Sequence, residues 1–199
     1  MPFAHRLHDG WRRLAESDAA VLAVLLWAVS EATVQPVIPD FALGLLALGT
    51  RRRLPRLLAA ALAGMALGGV VTLIAAEVAP AAATAVLLHL PFVHAAGLPE
   101  VDAYLRTHGV ARGFLHQPWS GIPFKLWAVE AGAHHLDPLA VIPWFVAGRA
   151  LRIVAVTGAV AGLASLLERL RLLRAGFPVI AVVAVELFAA GFYRIVVVG

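Results

Sequence analysis

The stretch Glu31-Ala-Thr-Val-Gln-Pro36-Val-Ile-Pro39-Asp40 lies in the middle of an apolar run from Ala19 to Thr50. As one helix that run would be roughly 48 Å long, against a hydrocarbon core of about 30 Å. Pro36 and Pro39 forbid one continuous helix, because each removes an amide donor and clashes with the preceding turn. The spacing predicts a helix, a polar elbow over 31–40, and a second arm that ends at Arg51, Arg52, Arg53 and Arg56.

Working outward, Leu57–Ala76 is the cleanest candidate span, without a charge and rich in Ala, Leu and Gly. Its Gly64 and Gly68 stand four apart and suit close helix contact. Val78–Pro99 is a weaker span, interrupted by Pro80, Pro91, His89 and His94. Glu100–Arg112 reads as a polar interfacial helix. A second broken apolar segment, Gly113–Gly132, carries Pro118, Pro123, Lys125 and Glu130. Pro138–Leu167 is long and holds Arg149 and Arg152, and Ala175–Val198 is a last span with Glu186 near its centre. Residues 1–18 read as an interfacial segment, with Phe3, Leu7, Trp11 and Leu14 near helical spacing and no signal-peptide cleavage pattern. Residues 19–199 form one transmembrane domain.

Composition agrees with that class. Hydrophobic residues make up 61% of the chain, charged residues 14%, and mean hydropathy is +0.87. A soluble domain carries about 25% charged residues, so this chain has too little polar surface to be one. There is no cysteine, hence no disulfide, thiol nucleophile or cysteine-held cluster. The net charge of +4 does not point to nucleic acid, since the basic residues cluster at the ends of apolar runs, where a cytoplasmic membrane face explains them. By that rule the N-terminus, Arg51–Arg53 and Leu166–Arg174 are cytoplasmic and the C-terminus is outside. Two full spans over 57–99 would require a further crossing. An outward-facing hairpin at 113–132 needs only one.

The expected fold is all-α: a polytopic membrane protein with two re-entrant, broken hairpins. Two interrupted segments in corresponding halves are also the pattern of inverted-repeat transporters.

Charges at membrane depth need a reason. One reading makes Glu31, Asp40, Lys125, Glu130, Arg149, Arg152 and Glu186 the lining of a polar cavity, its acids carrying protons and its bases holding an anionic headgroup. The alternatives are structural. Glu31 and Asp40 would flank a loop between two tight spans, while Arg149 and Arg152, on one helix face, would snorkel or pair. Glu186 would then serve as a packing partner for one of those arginines. Trp119, Trp127 and Trp144 read as interfacial anchors. His89/His94 and His134/His135 lack metal-site spacing, and no nucleophile elbow or phosphate loop occurs, so neither metal nor cofactor is expected.

Three elements in order resemble one family. They are Glu31…Pro36-Val-Ile-Pro39-Asp40, then Gly121-Ile-Pro123-Phe-Lys125 followed by Ala131-Gly132, then Gly148-Arg149-Ala-Leu-Arg152-Ile153. Together they resemble the DedA/VTT superfamily (SNARE-associated Golgi proteins), and within it the small YqaA-like bacterial membrane proteins, over about residues 20–160. The resemblance implies a multi-pass protein of the bacterial inner membrane that moves phospholipid or polyprenyl-phosphate, as a flippase or scramblase-like transporter that couples to protons and does no covalent chemistry. It matches Glu31 and Asp40 to the family's two acids, and Lys125 to the second of two arginines. The first arginine falls near Gln117 or Trp119 here, a departure, and Ile153 replaces an aromatic. Phosphate recognition would then rest on Lys125, Arg149 and Arg152, supported by Pro36, Pro39, Gly121, Pro123, Glu130 and Glu186. The competing expectations are a non-transporting membrane scaffold for envelope homeostasis and, more distantly, an intramembrane hydrolase.

Overall fold

A computed structural model describes residues 2–35, 37–91 and 93–193, and Pro36 lies outside the described residues. Among them the chain is all-α, with nine helices and a single 3-10 turn. Three helices are long and apolar enough to cross a membrane: α4 (Leu54–Val78), α8 (Pro138–Arg169) and α9 (Leu172–Tyr193, apolar through Ala190). The protein is therefore a multi-pass membrane helical bundle.

α1 (Pro2–Ala15) leaves Phe3, Leu7 and Leu14 exposed. Its other face docks inward through His8, Trp11 and Ala15, and the Trp11 indole donates to Leu45 O at 2.9 Å. Ser17 then caps α2 (Asp18–Thr33) by accepting from Ala20 N. α2 ends where Val34 N and Gln35 N both donate to Ser30 O, and the Trp27 indole donates to Val37 O, which holds the elbow against the helix. Pro39 opens α3 (Pro39–Ala47) at its first position, where its missing N–H costs nothing. α3 and the residues after it bring the chain back: Arg53 pairs with Asp18 at the start of α2.

α4 runs parallel to α2 in contact so close that only small residues fit. A Cβ on Gly64 would lie 2.4 Å from Leu25 O, and one on Gly68 would lie 2.6 Å from Val29 O. The Thr72 hydroxyl closes the seam by donating to Ala32 O at 2.9 Å. α5 (Pro80–Leu88) has nine residues, about 13 Å of rise, and cannot span. Of the two alternatives for residues 57–99 the single crossing holds: among the described residues there, α4 alone is long enough.

α6 (Gly97–His116) is two limbs folded against each other at Gly109, whose φ of 76° and ψ of 173° suit glycine alone. Tyr104 stacks on His116 with ring centroids 4.7 Å apart, whereas a straight helix would separate them by about 18 Å. A 3-10 turn over Gln117–Trp119 and a bend at Gly121 (φ 75°) lead into α7 (Phe124–Ala133), capped by Pro123. Gly132 lets α7 lie on α4, since a Cβ there would stand 2.2 Å from Leu73 O. α8 starts from the Asp137 cap and returns along the bundle, and Arg51 pairs with Ser165 and Glu168 near its far end. The start of α2, the basic 51–53 run and the end of α8 thus share one end of the molecule. Glu77 and His135, 3.9 Å apart, mark the other.

Phe114, Phe124, Trp127 and Phe145 fill the core between α6, α7 and α8, with Phe124 and Phe145 stacked at 3.7 Å. Trp127 is 1% exposed, so it is a core residue and not an interfacial anchor. Trp119 and Trp144 are exposed.

Candidate functional site

The two breaks in the chain meet. Lys125, on the first turn of α7, donates from Nζ to the backbone O of Gln35 at 2.7 Å, which joins the first elbow to the second across ninety residues of sequence. Directly beside this contact α8 presents Arg149 and Arg152 on one face. One guanidinium nitrogen of Arg149 lies 2.7 and 2.6 Å from the two carboxylate oxygens of Glu31. Arg152 Nε is 2.8 Å from Asp40 Oδ2, an ion-pair distance without the direction of a hydrogen bond. Arg152 Nη1 also reaches Pro118 O at 3.4 Å.

Each element positions its residue for a local reason. Glu31 lies in the last turn of α2, and Asp40 in the first turn of α3, immediately after the Pro39 that starts it. Gly121 supplies the bend, and Ser120 Oγ accepts from Ile122 N at 3.1 Å while Gln117 Nε2 donates to Ile122 O at 3.2 Å. These bonds fix the second elbow. The site sits deep: Arg149 is about 17 Å of helix from one end of α8 and about 30 Å from the other.

Glu31, Asp40, Lys125 and Arg149 are all at least 95% buried. Burying one charge without a partner is expensive, so the pairing accounts for how the cluster survives at this depth. The pairing is incomplete, however. Two carboxylates face three cations, which leaves one positive charge without an acid. Asp40 Oδ1, Gln117 Oε1, Arg149 Nε and Arg152 Nη2 are buried without a hydrogen-bond partner. Buried polar atoms are normally satisfied; the two arginine nitrogens are donors free to receive an anionic oxygen, whereas Asp40 Oδ1 and Gln117 Oε1 are acceptors that call for a donor.

Of the residues singled out by sequence, Glu31, Asp40, Lys125, Arg149, Arg152, Pro39, Gly121 and Pro123 come together here. Two do not. Glu186 is exposed on α9; the arginines it was expected to serve are taken by Glu31 and Asp40. Glu130 belongs to a separate group near the opposite end of α7. There, His134 Nε2 lies 2.6 Å from Asp102 Oδ1 and 3.9 Å from Glu130 Oε2, and Arg106 also holds Asp102 at 2.8 Å. The three ligand-type atoms of Asp102, Glu130 and His134 lie within 4.8 Å of one another. The arrangement ties α6 to α7, and the arginine on Asp102 already supplies the cation that two carboxylates call for. Sequence reasoning compared His134 with His135 and missed its partner. The signal was Glu130 four residues before His134, on the same helical face. Gln117 was placed only as the site of a missing arginine, and its buried amide is part of the elbow.

Compared with known protein families, with curated proteins and with solved structures, the chain matches none.

Proposed function

We propose that the protein is a lipid translocator of the DedA/VTT type, in which the headgroup of a phospholipid or polyprenyl-phosphate passes through the buried charge cluster while its acyl chains stay in the bilayer. The observation that carries this reading is a third buried basic side chain, Lys125, that has no carboxylate of its own and lies beside the unpartnered nitrogens of Arg149 and Arg152. A phosphodiester brings one negative charge and two acceptor oxygens, which answers both deficits. Arginine forks suit phosphate geometry, and Lys125 adds a point charge at the joint of the two elbows.

In this reading the elbows at 31–40 and 117–124 are the tips of two re-entrant hairpins entering from opposite faces, arranged as inverted repeats. Non-helical backbone is tolerated at membrane depth where it meets protein or a polar cavity, and in each elbow a freed carbonyl is met by a basic side chain, Gln35 O by Lys125 and Pro118 O by Arg152. The basic end is cytoplasmic, in the inner membrane of a bacterium. Glu31 and Asp40 hold the arginines when the site is empty. An arriving phosphate competes for the guanidinium groups, and a carboxylate so released can take up a proton. That exchange is the route by which a pH gradient would couple to movement. No bond is made or broken in the lipid, so the protein is not an enzyme.

The test is transbilayer movement of fluorescent lipids in proteoliposomes, across anionic and zwitterionic headgroups and with an imposed pH gradient. Movement of anionic lipid by wild type, lost in Arg152→Gln protein that circular dichroism shows to be folded, is the expected result. Failure to move any headgroup would leave the cluster with a structural role, as in a membrane scaffold.

A further inference from the structure

At the basic end, far from the buried cluster, α1, the 47–52 segment and the α8–α9 corner enclose a cavity of about 720 Å³. That is the size of a small-molecule site. Its floor is Ala47–Thr50 with Ala164, all buried. Its walls carry Arg12, Arg51, Arg52, Arg171 and Arg174, contributed by three separate parts of the chain. The acids at its edge are Glu16 and Glu168. Arg51 is engaged by Glu168 and Ser165. Among the described residues Arg12, Arg52, Arg171 and Arg174 are in no ion pair.

Four guanidinium groups outside any ion pair gather around one hollow, and beyond the Arg51–Glu168 pair Glu16 is the one acid that lines it, so the hollow keeps a positive excess. A concave wall of one charge sign concentrates counter-ions of the other. The backbone supports the arrangement: Arg171 sits at φ 59°, in the left-handed region that a side-chain-bearing residue adopts at some cost. That strain holds the tight corner between α8 and α9 which brings Arg171 and Arg174 to the hollow. Arginines converging from several segments on one space are the usual means of gripping phosphate oxygens.

The place in the fold narrows the ligand. α8 ends and α9 begins at this level, and α1 exposes Phe3, Leu7 and Leu14 beside it, the apolar face of a helix lying at the bilayer surface. The cavity therefore opens at headgroup height. About 18 Å of α8 separates Arg152 from Ala164 in its floor, so it is a second site and not a mouth of the first.

We propose that this cavity binds a phosphate-bearing anion, either the headgroup of an anionic phospholipid at the membrane surface or a free polyphosphate. Binding clamps α1 to the α8–α9 corner, because Arg12 belongs to the first and Arg171 and Arg174 to the second. The proposal does not depend on transport.

The experiment is a thermal-unfolding titration of the full chain in neutral detergent, with phosphatidylglycerol, phosphatidylcholine or tripolyphosphate added in separate arms. A saturable upward shift with phosphatidylglycerol alone identifies a lipid site. A shift with tripolyphosphate identifies recognition of phosphate itself. Either should weaken with salt, and weaken at least about tenfold in affinity in Arg52→Gln/Arg174→Gln protein, since each charge-assisted hydrogen bond lost is worth a factor of that order. Both substituted side chains are exposed and in no ion pair, so the variant should fold, which circular dichroism checks. Arg152→Gln should bind as wild type does. No saturable shift with either anion, an equal shift with phosphatidylcholine, or undiminished binding by the double variant overturns the proposal. Binding without lipid movement in proteoliposomes would sink the translocator reading and leave this one standing.

Discussion

A single nitrogen of Arg149 straddles both carboxylate oxygens of Glu31, at 2.7 and 2.6 Å, across 118 residues of sequence. Arg149 is 2% exposed and Glu31 4%, so water does little for either charge. Removing one partner strands the other. Glu31→Gln should therefore cost about 3–5 kcal/mol, the usual penalty for breaking a buried pair. Glu31→Leu/Arg149→Met, which removes both charges, should recover most of that loss. Unfolding in detergent, read as a double-mutant cycle, measures it. A single substitution within about 1 kcal/mol of wild type would mean that water reaches the pair.

The glycine seams give a sharper packing test. A methyl group on Gly132 would meet Leu73 O at 2.2 Å, whereas one on Gly158 meets nothing within 4 Å. Gly132→Ala should lose about 1–3 kcal/mol as α7 is pushed off α4. Gly158→Ala, mid-helix in α8, should be neutral or gain up to about 1 kcal/mol. Equal effects at the two positions would contradict the close approach of α7 to α4.

His8, at the membrane-surface end, should make the docking of α1 sensitive to pH. It is 2% exposed, packed edge-on to Phe177 at 5.1 Å. Burial, with Arg174 and Arg12 nearby, pushes its imidazole below the ordinary 6.5, against a smaller opposing pull from Asp9. The docked helix thus favours neutral His8, so docking is strongest above pH 6.5 and weakens as pH falls and the undocked form takes the proton. A spin label at the exposed position Arg13→Cys should report an ordered, docked helix at pH 7.5 and gain mobility toward pH 5. His8→Phe should flatten that response. An unchanged pH response in His8→Phe would assign it to another group.

Because the chain has no cysteine, sidedness can be read from single introduced thiols. Arg52→Cys and Leu172→Cys should react with an impermeant reagent from one face, and His135→Cys from the other. Labelling of positions 52 and 172 from opposite faces would break the bundle described by Arg51–Glu168 and Arg53–Asp18.

Both breaks were legible because proline acts locally. Pro39 and Pro123 end or begin helices wherever they stand, and the neighbouring Glu31, Asp40 and Lys125 stood out as charges in apolar surroundings. Partner choice was not legible, because pairing Arg149 with Glu31 depends on how α8 returns against α3 and α4. Glu186 satisfied the same local criterion as Glu31, a lone acid within a span. Only the packing separates them, by exposing one and burying the other. Gly109 was also missed. A lone glycine in a polar helical stretch carries no sign of its φ, and the reversal it allows folds the two limbs of α6 against each other. At Val78–Pro99 hydropathy counted apolar residues correctly, but helix length, which fails there at nine residues, decides a crossing.

The contact between Lys125 Nζ and Gln35 O bears most directly on function, since among the described residues it is the one hydrogen bond between the two elbows and lies beside both arginine pairs. If headgroups pass between the elbows, the joint must open; if the cluster only holds the fold, it can stay shut. Gln35→Cys/Lys125→Cys protein, cross-linked by a short bifunctional thiol reagent, should keep its unfolding temperature or raise it, because a link across ninety residues restricts the unfolded chain. Lipid movement in proteoliposomes should fall to the protein-free rate and return when a cleavable link is reduced. Uncross-linked double variant and Lys125→Met are the controls: each loses the lysine charge without closing the joint, so each reports what the ammonium contributes apart from opening. Full lipid movement through a quantitatively cross-linked sample would place the path elsewhere than between the two elbows. Equal loss in cross-linked and uncross-linked samples would trace the defect to the missing charge. The distinction matters mechanically, because a point charge acts on the bound headgroup, whereas an opening joint acts on its way through.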